Sequence, residues 1–259
     1  MKIFSKEDLI EKLKEIRKRG WICNARPGND GGVGNTLEDL LGIDENNLPI
    51  PNAAEWELKA QKTNTTSLIT LMHMEPSPKA LKFVPNTLLP IYGWKHQEAG
   101  GKYPESEMSF RQTIKTTITS DRGFTVNVNR QEEKIEVLFD ENQINERHDE
   151  WKRNLKKKGG GQLNPSPYWG FDDLFYKVAS KLHNCFFVEA QTKRENGKYF
   201  FKYDGIYMLK GVSRDNFIKN IEDGAIYVDF DARTGHNHGT KFRMKKACMK
   251  NMYEVVKKY

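Results

Sequence analysis

The sequence predicts an α/β fold: a mixed β-sheet flanked by helices, divided into two lobes. Three observations carry this. Segments with helical and with alternating apolar periodicity follow one another along the whole chain. At 259 residues the chain can bury a sizeable core, either as one large domain or as two lobes. One compositional seam, the basic and glycine-rich stretch RHDEWKRNLKKKGGG, interrupts the pattern. It sets the expected division: a first lobe over 1–146, a connector over 147–167, and a second lobe over 168–259. Part of that second lobe's helix and strand can complete the first lobe's core.

The N-terminal segment 5–20 reads as an amphipathic helix, with Ser5 as N-cap and Leu9, Ile10, Leu13 and Ile16 on one side. Residues 24–35 (NARPGNDGGVGN) read as loop. A second helix is expected over 36–41, capped by Thr36, with Asp39 in its first turn. Pro49 and Pro51 keep 46–52 irregular. Strands follow at 56–60 and 67–74, then a proline-rich connection at 76–90. Residues 110–119, 124–129 and 134–139 alternate as a three-strand meander around the turn Ser120-Asp121-Arg122-Gly123. Beyond the connector come a helix at 170–182, strands at 184–190 and 199–209, and a helix at 215–221. A strand at 225–230 and a final helix at 245–257 complete the reading. No internal repeat is visible.

Composition narrows the function classes. No apolar run approaches the ~20 residues of a membrane helix, and the N-terminal helix lacks a signal peptide's apolar core. A cytoplasmic protein without a membrane partner is expected. Three widely spaced cysteines (Cys23, Cys185, Cys248) with no CxxC argue against disulfides or a zinc site, and predict buried free thiols. The net charge of +7 is clustered at 147–158 and near the C-terminus. Any one cluster reads first as a solvated face. Together with a phosphodiesterase site they would favour DNA or RNA.

Such a site is suggested by GGVGNTLEDLLGIDENNLPIPNAAEWELKAQK (31–62). A glycine-rich turn is followed by a helix bearing Glu38, a proline-flanked loop, and Glu57-Leu58-Lys59 on a strand. Strand alternation puts Glu57 and Lys59 on one face. A carboxylate can hold a hard divalent cation, and an ammonium beside it meets phosphate or an attacking water. Alone, Glu-x-Lys is common, and on an exposed strand it is a weak ion pair. The order of the surrounding elements raises its weight.

Downstream, VDFDAR (228–233) is followed by HNHGTKFR (236–243). His236, Asn237 and His238 could hydrogen-bond base edges, Asp231 could accept from a cytosine amino group, and Arg233 and Arg243 are the guanine-contact candidates. Gly239 would allow close backbone approach. The alternative is a polar hairpin turn. His73 is a weaker DNA-contact candidate, since a lone His at a strand end is more often structural. Arg26 and Asn29 could contact phosphate. Tyr168, Trp169, Phe171 and Trp151 read as packing residues. No G-x-x-x-x-G-K-[ST] is present, so nucleotide hydrolysis is not indicated.

These two separated motifs, with GFDDLFYKVASKLHNCFFVEAQTKRENGKYFFKY fitting between them, resemble the MvaI/BcnI family of type II restriction endonucleases. Those are relatives of the mismatch-repair nicking endonuclease MutH, within the PD-(D/E)xK superfamily. The resemblance covers most of the chain and is weak over 76–168. It implies a PD-(D/E)xK core, a DNA cleft between a catalytic lobe (1–146) and a DNA-recognition lobe (168–259), and Mg²⁺-dependent cutting of short GC-rich sites in double-stranded DNA. It also implies a monomer with one active site, nicking the strands in turn without an obligatory protein partner. Carried over, Glu57 binds metal, Lys59 activates the attacking water and offsets phosphate charge, and Glu38 is an additional acid. The family places an aspartate five residues before the Glu; here that position is Asn52. Asn offers an oxygen without charge, so Mg²⁺ affinity should fall. Asn52 is tolerated with Glu38 or Glu55 supplying charge, or it marks an inactivated form, or the protein binds DNA without cutting it well. A nicking enzyme of the MutH type is a further rival.

Overall fold

The computed structural model describes residues 4–28, 32–43 and 55–259. The chain divides into two compact units that interleave in sequence. The first takes Met1–Ile69, Val178–Phe217 and Lys246–Tyr259; the second takes Thr70–Lys177 and Ile218–Lys245. The segment expected as a connector, 147–167, lies inside the second unit and contains the helix Asp149–Lys157.

The first unit is built on a mixed sheet. Edge strand Glu57–Lys62 runs parallel to Asn184–Glu195, which pairs antiparallel with the long strand Lys198–Val212. The far side of that strand takes Ile22–Cys23 at one end and Tyr253–Lys258 at the other. One sheet face packs on two helices. Helix Lys6–Lys18 starts with a capping box, in which Ser5 and Asp8 satisfy each other's backbone N–H. It buries Leu9, Ile10, Leu13 and Ile16; helix Gly32–Leu41 buries Val33, Leu37 and Leu41. They meet Leu58, Phe186, Val188, Phe201 and Met208. Each fully buried side chain contributes about 1.5–3 kcal/mol. Tyr203 lies in the same core and donates its hydroxyl to the Val33 carbonyl at 2.8 Å.

The second unit carries two sheets. In the larger, the strand order is Ile69–His73, Lys241–Met244, Ile226–Arg233, Met108–Ile114 and Trp94–Lys95, with His236–Asn237 folded back on the end of Ile226–Arg233. The smaller joins Arg122–Asn129, Lys134–Ile144 and Tyr168–Gly170. Phe110, fully buried, ties them together: its ring lies 5.5 Å from both Phe124 and Phe230. Trp169 is buried against Phe242 and donates to the Met74 carbonyl.

Four expectations are corrected. The final helix is a 3-10 turn (Lys246–Met252) followed by the strand Tyr253–Lys258. Tyr253, Val255 and Val256 suit a strand, and the otherwise unpaired edge of Lys198–Val212 supplies the partner. The second helix begins at Gly32, and Thr36 is buried within it. Its hydroxyl accepts from the Ala25 N–H and donates to Asn24 Oδ1, each at 3.2 Å, so it pins the preceding loop rather than capping the helix. The meander is a two-stranded hairpin: Met108–Ile114 pairs with Ile226–Arg233 and Trp94–Lys95, because its buried residues face the larger sheet's core. Cys185 is a buried free thiol, but Cys23 is exposed and Cys248 half-buried, since Cys23 sits on a two-residue edge strand. Among the described residues, no helix is long and apolar enough to cross a membrane.

Candidate active site

Within the first unit, the edge strand sends Leu58 into the helix-packed core and so turns Glu57 and Lys59 to the opposite face. Glu57 is almost fully buried, its side chain 2% exposed. Its Oε1 pairs with Lys59 Nζ at 2.7 Å and with Lys181 Nζ at 3.6 Å. Both lysines keep about a quarter of their side chains in water. Among the described residues, one carboxylate therefore faces two ammonium groups, a local excess of positive charge beside a partly open surface. That arrangement can receive a phosphate.

Lys181 comes from the last turn of helix Phe171–Leu182, which leads into the strand paired with Glu57's own. Sequence reasoning missed it, because its nearness to Glu57 depends on a parallel pairing between distant segments. Directly across from Glu57 lies Cys185. Burial first, and the Glu57 carboxylate second, push its thiol well above the usual range, so it stays protonated and inert. Burial likewise pushes up the neighbouring Tyr253 hydroxyl. At the other end of the edge strand, Lys246 donates to the Lys62 and Thr63 carbonyls and pairs with Glu189 at 3.1 Å.

Glu38 lies half-buried on helix Gly32–Leu41, whose Leu37 and Leu41 share the core with Leu58. Asn52 and Asn29 lie outside the described residues. Among those described, no three Asp, Glu, His or Cys side chains gather as a metal centre. Arg26 forms a two-pronged pair with Asp39, at 2.6 and 3.1 Å.

The second unit gathers the other expected residues. Three neighbouring strands present a ladder of charge on one face. Asp231 Oδ1 meets Arg111 at 2.9 Å and Oδ2 meets Lys241 at 3.0 Å. Asp229 takes Arg243 at 3.1 Å and the Thr113 hydroxyl at 2.8 Å. They line a groove of about 470 Å³ that His238 also borders. The Asp231 carboxyl lies below its usual range: burial would raise it, but the hydrogen bond from Lys241 and the surrounding cations prevail.

Arg233 is held by buried Glu107 at 3.0 Å and stacks over Tyr103. His236 and His238 meet edge to face, 4.2 Å between ring centres. Glu75 fixes their turn by accepting from Thr240 N–H at 2.8 Å and from the Asn237 amide at 3.4 Å. Gly239 there has φ of 84°, and exposed His73 lies beside it. The structure thus brings Asp231, His238 and Arg243 to one groove, with Asn237, Gly239 and His73 along the adjoining turn. Arg111, Lys241, Asp229 and Glu75 were missed because cross-strand partners follow from register, which local patterns do not give.

The fold matches solved structures. The complex of restriction endonuclease MvaI with cognate DNA superposes with a TM-score of 0.77 at 24% identity, covering 98% of this chain and 99% of that one. MvaI in the absence of DNA gives a TM-score of 0.56 at 23% identity, covering 100% and 99%. No curated protein matches the chain. The model of the MvaI/BcnI restriction endonuclease family matches residues 10–253. With nearly its whole length so matched, the chain belongs to the MvaI/BcnI restriction endonuclease family and is a site-specific deoxyribonuclease.

Proposed function

We propose that the protein hydrolyses phosphodiester bonds in double-stranded DNA with Mg²⁺, within a short GC-rich site, as a monomer that nicks the two strands in turn. The observation that carries the chemistry is Glu57, removed from water yet bracketed by Lys59 and Lys181. The proposed donors are the carboxylates of Glu57 and Glu38, the Asn52 amide and the Leu58 carbonyl. They are all oxygen ligands, which suit a hard cation. Mg²⁺ bound there would favour ionisation of an attacking water and offset charge on the leaving oxygen. Lys59 orients that water and meets the charge developing on the phosphate. The charged ladder of the second unit reads bases, with Arg243 and Arg233 donating to guanine and Asp231 accepting from cytosine. His73, His236, Asn237 and His238 complete that surface. Paired guanidinium and carboxylate groups are held in place before DNA arrives, so less ordering remains to be done on binding.

The neutral Asn52 favours a second reading, a site-specific binder with impaired cutting. A partner-dependent nicking enzyme is a third. Plasmid digestion with Mg²⁺ separates them, using the purified protein and its Asn52→Asp and Lys59→Ala variants. Discrete fragments from the unmodified chain, lost in Lys59→Ala, are expected. Fragments from Asn52→Asp alone would mark an inactive form. Only nicked circles, or activity appearing on addition of a partner, would favour the nicking enzyme. Silence from all three proteins, with tight site-specific binding, would establish the binder.

A further inference from the structure

The hairpin joining strands Asn184–Glu195 and Lys198–Val212 runs past its neighbours in the sheet: on one side Ile22–Cys23 follows it to Phe200, and the Asn24 N–H donates to the Tyr199 carbonyl. On the other, its parallel neighbour ends at Lys62, opposite Ala190. Beyond that point, residues 191–199 are exposed except for half-buried Lys193. The turn has Asn196 and Gly197 at positive φ, 48° and 76°, the two-residue geometry that continues a strand pair's twist without slack. A projection of this kind buries little and adds little to the core.

Its side chains point to a use. Residues 191–202 carry Lys193, Arg194, Lys198 and Lys202 against one acid, Glu195. Among the described residues, only Lys193 of these four pairs with a carboxylate, Glu195 at 2.7 Å. Two exposed aromatic rings hold the cations: Lys193 lies over Trp21, while Arg194 and Lys62 flank Tyr199, at 5.2–5.7 Å. Stacking of this type orders a cation without neutralising it. The result is a stiff, positively charged ribbon in the same sheet as Glu57 and Lys59.

We propose that this hairpin is a DNA-backbone arm, which takes phosphates of the duplex flanking the cut site, about one helical turn from the scissile bond. The inference rests on the nuclease reading of Glu57. Cys185 lies opposite Glu57 and Glu195 ends the strand ten residues later. At ~3.3 Å per residue that is about 33 Å. One turn of B-DNA is about 34 Å. A short recognition site ends before that distance, so the arm adds affinity without reading sequence.

The test is the triple variant Lys193→Gln, Arg194→Gln, Lys198→Gln, whose thermal melting should match that of the unmodified protein. The first probe is a 40-base-pair random-sequence duplex without divalent metal, titrated across salt. The slope of log K against log [salt] should shrink by about 2–3, with about tenfold or more lost in affinity at low salt. An unchanged slope overturns the arm. The second probe is a duplex carrying the site mapped by plasmid digestion, either trimmed to half a helical turn on each side of the cut or extended by two turns. Loss on the long duplex alone is expected; equal loss on both overturns the placement. If no plasmid is cut while the slope still falls, the nuclease reading of Glu57 fails and the DNA contact stands.

Discussion

The strand bearing Glu57 and Lys59 and the charged ladder of the second unit both pair carboxylates with lysine or arginine, yet they differ in burial and in balance. Glu57 is 2% exposed and faces two lysines. Asp231 is 26% exposed and shares its two oxygens between one arginine and one lysine, while Asp229 meets one arginine and a threonine hydroxyl. Removing a buried carboxylate leaves ammonium groups without their counter-charge, and any cation that needs that oxygen loses it. Removing a partly exposed one such as Asp231 leaves groups that water can reach. The first arrangement suits chemistry, where charge must change in a dry place. The second suits reading, where donors and acceptors must stay available to an incoming base edge.

The largest expected effect tests that division directly. Glu57→Gln keeps shape and removes charge. Cleavage of plasmid should fall by about 10²–10³ or more, the scale of losing a group that stabilises transition-state charge. Binding to a site-containing duplex should stay within a few-fold, because the ladder is untouched. Asp231→Asn should do the reverse, weakening site binding while single-turnover cutting of bound DNA persists. If Asp231→Asn abolished cutting at unchanged affinity, burial would not be what separates the two regions.

A smaller effect is expected from Arg243→Gln. A bidentate arginine–guanine contact is worth about 1–3 kcal/mol of discrimination. The variant should lose roughly 5–150-fold in affinity for its site and tolerate a changed base at one position. Competition binding with single-base variants of the mapped site measures this. A uniform loss across all sequences, with the salt slope reduced by about 1, would make Arg243 a phosphate contact and remove it from the reader.

How much of this was legible beforehand follows the range of each interaction. The Ser5–Asp8 capping box and the stripe Leu9, Ile10, Leu13, Ile16 are local, and both were readable. Glu57 and Lys59 are two residues apart on one strand, so their proximity was readable too. Lys181 was not, because only the parallel register of Glu57 with Cys185 brings its helix to that carboxylate. The same holds for Arg111 opposite Asp231. Thr36 misled because a threonine before an apolar run signals a cap, whereas here its hydroxyl serves Asn24 and Ala25. Tyr253–Lys258 misled because its few apolar residues set no clear period, and the strand edge that takes its backbone, on Lys198–Val212, lies far off in sequence.

The smallest effect concerns acid. Lys241 and the surrounding cations hold the Asp231 carboxyl below the ordinary aspartate value of about 3.9, against the burial that would raise it. The folded state therefore binds this proton less readily than the unfolded chain does. The stability so gained is complete above about pH 4 and drains away as pH falls through the lower, folded-state value. With the side chain a quarter exposed, it should amount to less than about 1 kcal/mol. Melting of the unmodified protein and Asp231→Asn from about pH 6 to pH 2 measures it. The unmodified protein should melt slightly higher at pH 6, and the difference should close as acid is added. Curves that run parallel throughout would mean that the pair contributes no stability. The ladder would then be held by backbone register alone, with its charges left wholly for DNA.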